Sequence, residues 1–174
     1  MPITKDELLF AERVRARGVT ELTCVGAHVG DGLGFLARST LVSHLYAIEP
    51  DNECYAVLCE RFGDTARVTC VHAAAVADDR NRVTMWTAPG AVKFKRSNSI
   101  VVKRKDTYFA QTVNAVNIRE VVRHKTAVKF DCEGCEYDLL YSVTELESQV
   151  INVIMKMSPA PFSTLKWALS LIHI

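Results

Sequence analysis

The chain has 174 residues, of which 49% are hydrophobic and 24% are charged, and its formal net charge is +1. This composition fits one soluble globular domain with its own core, and the charge argues neither for nor against a nucleic-acid partner. No apolar run has signal-peptide length or reaches about 18 residues, so we expect a cytoplasmic protein without a membrane span.

The first half of the chain predicts alternating helices and strands. The elements in chain order are a helix begun by a capping box at 4–7 and ended near Gly18, a strand at 21–25, a helix at 31–40, a strand at 44–48, a helix from Asp51 to Phe62, and a strand at 67–72. A loop with mostly small side chains follows at 73–79.

The second half is less regular at first. Residues 82–87 alternate like a strand, and residues 99–102 are its predicted partner. The later elements are a helix at 116–124, a strand at 126–131, a helix at 136–143 and a strand at 150–157. Because strands separated by helices favour right-handed crossovers, we predict an α/β fold with a mostly parallel sheet.

Glycines follow the strand predicted at 21–25, and Gly26 and Gly30 flank the turn into the next helix. Glycine lets the backbone approach a ligand closely, and the free N–H groups at a helix start can face that ligand. The alternative is a plain turn between a strand and a helix.

Glu49 stands just past the strand predicted at 44–48. It follows the glycine turn by about twenty residues, an offset at which an acidic side chain can accept hydrogen bonds from a ribose diol. The small side chains at 73–77 leave room for a flat adenine. Asp78 or Asp79 could accept a hydrogen bond from the amino group of that adenine. These features predict a nucleoside-containing cofactor, and the alternatives are a surface glutamate and a solvated loop.

Three acidic residues, Asp131, Glu133 and Glu136, stand where the strand predicted at 126–131 gives way to a helix. Carboxylates there can accept a proton from a reacting group or position it. Three acids so close together also suit a divalent metal, which prefers oxygen ligands. Alternatively, Glu133 and Glu136 only favour the start of the following helix.

Segments 25–31, 48–50 and 129–140 together resemble the FkbM-type methyltransferases, a branch of the class I S-adenosylmethionine-dependent enzymes. The third segment matches that family's Lys-x-Asp-x-Glu-Gly-x-Glu pattern. The resemblance implies a Rossmann-like class I methyltransferase fold, with helices on both faces of the sheet and a cofactor-binding core at 20–157. It implies S-adenosylmethionine as cofactor, with the methionine part at the glycine turn and the ribose at Glu49.

The site residues that follow from the motifs and the resemblance fall into two groups. The cofactor-binding candidates are Gly26, Ala27, His28, Gly30, Asp31, Glu49, Pro50 and Ala74, and the catalytic candidates are Asp131, Glu133 and Glu136. Two positions depart from the family, which usually has an acidic residue at Cys24 and often asparagine at His28. The acidic residue helps to orient the amino end of the cofactor, which Cys24 does poorly, whereas His28 can still donate a hydrogen bond.

The acceptor that this reasoning favours is a hydroxyl on a small molecule or a glycan. The alternative acceptor is RNA, which a cluster of basic residues could bind. The cluster could equally be the solvated face of a hairpin. The cluster comprises Lys93, Lys95, Arg96, Lys103, Arg104 and Lys105. A non-catalytic cofactor-binding domain is a third possibility, which Cys24 favours.

The cysteines and the C-terminus complete the expectations. We expect the six cysteines to be reduced and packed as small apolar groups, with no metal at the lone pair Cys132 and Cys135. Residues 158–174 form a short tail that is too short for the antiparallel strands which usually end this fold. Its final residues, 169–174, look like translated read-through of an incomplete gene model.

Overall fold

The computed structural model of the chain describes residues 5–87, 98, 100, 107–122, 126–144 and 150–155, with the backbone alone for Asp6, Tyr137, Thr144 and 150–155. Three sequence features lie outside these residues: Thr4 of the predicted capping box, the six basic residues between 93 and 105, and the tail at 158–174. Within the described ranges, no helix is both long enough and apolar enough to cross a membrane.

The described residues form helices and strands that largely alternate. The helices are α1 (Lys5–Ala16), α2 (Asp31–Ser39), α3 (Asn52–Phe62), α4 (Ile118–Val121) and α5 (Glu136–Thr144). The strands are β1 (Glu21–Val25), β2 (His44–Ile48), β3 (Val68–Val71), β4 (Ala74–Val76), β5 (Arg82–Thr87), β6 (Phe109–Asn117), β7 (Thr126–Phe130) and β8 (Val150–Met155).

Five strands form one sheet in the order β3-β2-β1-β7-β8, and every neighbouring pair in it is parallel. The chain first builds outward from β1 through β2 and β3, and then returns to the other side of β1 with β7. Such a reversal opens a crevice at the carboxyl ends of the two central strands. The loops that follow β1, β2 and β7 therefore meet at one edge of the sheet.

Helices cover both faces of this sheet. On one face α1, α2 and α3 bury Phe10, Leu36 and Leu58 in a single core cluster. On the other face α4 and α5 bury Ile118 and Leu139 in a second cluster. The predicted Rossmann-like arrangement, a parallel sheet between two helical layers, is confirmed.

Three further strands form a second sheet in the order β4-β6-β5, and here the sequence-based prediction was partly wrong. Strand β5 has the predicted bounds and pairs antiparallel with β6. Of its predicted partner at 99–102, only Ile100 is among the described residues, so that pairing stays a prediction. Strand β4 lies inside the segment predicted as a loop at 73–79 and runs parallel to β6.

Strand β6 also takes the first two residues of the helix predicted at 116–124, and among its described residues, 116–122, only the short α4 is helical. The reason lies in the composition of β6. Val113 is its one fully buried side chain, packed with Ala74 and Met85, while the other positions are partly or fully exposed. A strand with a single core position gives no strong period-two signal in the sequence.

Candidate functional site

A cavity of about 220 Å³ lies at the edge of the sheet where the loops after β1, β2 and β7 meet. Nine predicted site residues line it: Gly26, Ala27, His28, Asp31, Glu49, Pro50, Ala74, Asp131 and Glu133. The other two, Gly30 and Glu136, are not among the lining residues. Four separate segments of the chain are thus brought to one place.

The turn after β1 is packed directly against the end of β7. Gly26 has a φ of 76°, and a Cβ atom there would lie 2.1 Å from the backbone oxygen of Asp131. The N–H groups of Gly26 and Ala27 both donate to the carbonyl of Ile48, each at 3.0 Å. Since a side chain at position 26 would overlap the β7 loop, glycine is what allows this edge of the cavity to form.

Gly30 serves packing between helices instead of lining the cavity. A Cβ atom at this position would lie 2.4 Å from Cε2 of Phe62, so the glycine lets the start of α2 sit against α3. The next residue, Asp31, does line the cavity, and its Oδ1 lies 2.9 Å from Nη1 of Arg61.

Glu49 is a buried carboxylate, 6% exposed, at the end of β2. Its Oε2 accepts the N–H of His28 at 2.8 Å, and its Oε1 accepts the N–H of Asp51 at 2.9 Å. Burial raises the pKa of Glu49 to about 7, against the opposing effect of these two hydrogen bonds. The carboxylate is therefore held in a fixed orientation by the turn after β1 and the start of α3.

Asp51, two residues later, caps α3, the helix that the sequence predicted to begin at this residue. Its Oδ1 accepts the N–H groups of Glu53 at 3.0 Å and Cys54 at 2.9 Å. Its other oxygen, Oδ2, accepts from the side-chain amide of Asn98 at 2.9 Å. Since Asn98 lines the cavity, this bond ties the helix cap to the cavity wall.

Small and apolar side chains form another wall of the cavity. Its members are Ile48, Ala74, Ala75, Met85 and Ile100. The predicted adenine acceptors, Asp78 and Asp79, are not among the lining residues: Asp78 forms an ion pair with Arg80, and Asp79 accepts from Asn117 at 2.8 Å. The apolar wall is thus present, but Asp78 and Asp79 bind Arg80 and Asn117 and do not line the cavity.

The acids after β7 divide into two groups. Asp131 and Glu133 line the cavity, and Oδ2 of Asp131 lies 3.5 Å from Nζ of Lys129. Glu136 is 2% exposed, and its two oxygens accept the N–H groups of Cys132 at 3.2 Å and Gly134 at 2.7 Å. Glu136 therefore holds the loop that presents the other two acids.

Cys132 and Cys135 are joined in a disulfide, so the expectation of reduced thiols was wrong for this pair. Between them, Glu133 has a φ of 58° and Gly134 a φ of 126°, which folds the loop back on itself. The two Cα atoms lie 5.9 Å apart, a distance that a disulfide spans. The other cysteines, Cys24, Cys54, Cys59 and Cys70, are free, as expected.

Sequence reasoning missed several residues of the cavity. Glu7 of α1, Met85 of β5, Asn98 and Ile100 all line it. The spacing around Glu7 suggested only a capping box, and no motif connects the other three to the glycine turn. In the described ranges, no group of three or more histidine, cysteine, aspartate or glutamate side chains is arranged to hold a metal ion.

The sheet order defines a Rossmann-like α/β domain, and the cavity lies at its topological switch point. The family model described as the Methyltransferase FkbM domain matches residues 25–168. This match covers well over half of the chain, which therefore belongs to the FkbM methyltransferase family. None of the curated proteins matches the chain.

Three solved structures are similar to the chain. Methyltransferase FkbM from Methylobacillus flagellatus KT is 18% identical over 79% of this chain and 32% of its own, with a TM-score of 0.48. TrmK from M. capricolum, in complex with S-adenosylhomocysteine, is 12% identical over 88% of this chain and 51% of its own, with a TM-score of 0.46.

CalS10 from Micromonospora echinaspora, an amino pentose methyltransferase with bound S-adenosylmethionine, is 14% identical over 90% of this chain and 52% of its own, with a TM-score of 0.47. The chain thus spans between 32% and 52% of the length of these three structures.

Proposed function

We propose that this chain binds S-adenosylmethionine and transfers its methyl group to a hydroxyl of a small molecule or a glycan. The observation that carries the proposal is the buried carboxylate of Glu49, which lines the same cavity as the glycine turn after β1. Membership of the FkbM methyltransferase family supports this class of reaction.

The residues around the cavity fit a nucleoside that carries an amino-acid end. Each oxygen of Glu49 accepts one backbone N–H and has a second lone pair, so the carboxylate can also accept from ribose hydroxyls. Ala74 and Met85 belong to the apolar wall and suit the face of an adenine. The residues at 26–31 surround the space for the methionine part.

When bound by the turn at 26–31 and Glu49, S-adenosylmethionine would supply a methyl group on a sulfonium, and an acceptor oxygen aligned with that carbon would take it as the carbon–sulfur bond breaks. The acceptor hydroxyl would then have to give up its proton. Asp131 and Glu133 are the carboxylates after β7 that line the cavity, and we assign the proton to one of them. Glu136 contributes by fixing their loop through its hydrogen bonds to Cys132 and Gly134.

The two alternatives have less support. An RNA acceptor depends on the basic cluster between 93 and 105, which lies outside the described residues. A non-catalytic domain depends on Cys24, a buried thiol whose pKa burial raises further above neutral, to about 11.

Calorimetric titration of the purified chain with S-adenosylmethionine and S-adenosylhomocysteine tests the cofactor site. We expect saturable binding of both ligands, weakened by about 10-fold or more in Glu49→Ala, because hydrogen bonds to a charged group are lost. Glu60→Gln is the control, because it removes an exposed carboxylate from α3, the helix that follows Glu49. This variant should bind both ligands like the wild type. Absence of binding by a folded wild-type sample would overturn the proposal.

A further inference from the structure

Glu7 lies outside the segment that the family model matches, yet it reaches the cavity. It belongs to α1, whose Phe10 and Val14 are buried in the core cluster with Leu36 of α2. A Cβ atom on Gly32 would lie 2.9 Å from Oε1 of Glu7 and 4.0 Å from Nζ of Lys129. A carboxylate and an ammonium group therefore stand close to the same glycine, in the first turn of α2.

Cys24 faces this same part of the cavity. It is paired in register with Lys129 across β1 and β7, and both residues line the cavity. Its thiol is neutral at physiological pH, and the charges of Lys129, Asp131 and Glu7 all act on it. Strand β1 thus brings no negative charge to the place where Glu7 stands.

The other carboxylates of the cavity have different positions and partners. Glu49 accepts backbone N–H groups from the turn after β1 and from Asp51, and Asp31 pairs with Arg61. Asp131 pairs with Lys129 after β7, on the loop that also carries Glu133. Of these acids, Glu7 is the one that stands beside both Gly32 and the neutral Cys24.

We propose that Glu7 binds the α-ammonium group of the methionine part of the cofactor, with Lys129 providing the neighbouring positive charge for its carboxylate. The inference rests on the proposed function, since it places the amino-acid end of S-adenosylmethionine between the glycine turn and α1. An amino-acid end carries one charge of each sign. Near Gly32, the negative charge of Glu7 and the positive charge of Lys129 are complementary to those two charges. The negative charge is thus provided by Glu7 of α1, because β1 brings only the neutral thiol of Cys24 to this place.

Two ligands that differ only in the amino-acid end separate this role from general cofactor binding. S-adenosylhomocysteine has the amino-acid end, and 5′-methylthioadenosine carries the same nucleoside without it. In Glu7→Gln we expect the affinity for S-adenosylhomocysteine to fall by about 10-fold or more, the loss typical of a hydrogen bond between charged groups. The affinity for methylthioadenosine should stay within about twofold of the wild-type value, which also shows that the variant is folded.

Glu12→Gln is the matched control, because Glu12 lies on the same helix and is exposed. It should bind both ligands like the wild type. If Glu7→Gln binds S-adenosylhomocysteine as tightly as the wild type, or weakens both ligands equally, the role of Glu7 is refuted while the cofactor site stands. If the wild type binds neither ligand, the proposed function fails and this inference fails with it.

Discussion

Glu49 and Glu136 are two buried glutamates of the same site with different tasks. Both accept two backbone N–H groups, but those of Glu136 come from its own loop, whereas Glu49 accepts one from Asp51 two residues on and one from His28 in the distant turn after β1. Glu49 lines the cavity and Glu136 does not. Their motifs alone did not distinguish an acid that lines the cavity from one that fixes a loop.

The raised pKa of Glu49 predicts a pH-dependent stability. The folded-state pKa is about 7 against an ordinary value of 4.5, so the unfolded chain gives up this proton first as the pH rises. The free energy of unfolding should therefore fall between about pH 4.5 and pH 7, by about 3 kcal/mol in total for this group, and level off above. Urea unfolding at a series of pH values measures this slope.

Glu49→Gln removes the titrating group while keeping a similar side-chain shape, so its free energy of unfolding should lack this fall. Glu60→Gln, at an exposed position of α3, should retain it. Equal slopes in Glu49→Gln and the wild type would show that burial does not raise the pKa of Glu49.

The ends of the three strands around the cavity are tied to one another by backbone contacts. The N–H of Asp131 donates to the carbonyl of Val25 at 2.9 Å, and the N–H groups of Gly26 and Ala27 donate to Ile48. The proposed cofactor side and the proposed proton acceptors are therefore joined at one edge of the sheet by these hydrogen bonds. This coupling is absent from any single motif because it joins three segments distant in sequence.

Two glycines with positive φ allow the packing of this edge to be measured. Gly18 has a φ of 60° and nothing within 4 Å of an added Cβ atom, so Gly18→Ala should cost about 1 kcal/mol through backbone strain alone. Gly26→Ala adds an overlap with the backbone of Asp131, so its loss of unfolding free energy should be larger by about 2 kcal/mol. Equal losses would mean that the β7 loop moves aside without cost.

The sequence predicted the main sheet well and the second sheet poorly, for a physical reason. Strands β1 and β2 have the predicted bounds, because buried parallel strands are continuous apolar runs that end at glycine or acidic residues. In strand β6, Val113 is the one buried side chain, so its own sequence carries little signal for a strand. The site divides in the same way: Gly26 and Glu49 belong to motifs, while Glu7 and Met85 reach the cavity only through tertiary packing.

The disulfide predicts a countable property of the whole chain. In denaturant without reductant, thiol titration should find four free thiols, and with reductant all six cysteines. Closing so short a loop should stabilise the fold by about 2 kcal/mol, which reduction would remove. A Cys132→Ser, Cys135→Ser variant should show no such effect of reductant, and six thiols before reduction would contradict the bond.

The cytoplasmic location stays a prediction, since such bonds persist mainly in oxidising compartments.

The burial of Glu49 has a consequence for any ligand that this carboxylate binds. Because its pKa is raised to about 7, this carboxylate is partly protonated near neutral pH. Hydroxyl donors favour the ionised form, so a ribose that occupies the site releases part of a proton into the buffer. The heat of binding then includes the ionisation heat of that buffer, and hydrogen ions in the surrounding solution compete with the nucleoside for one side chain.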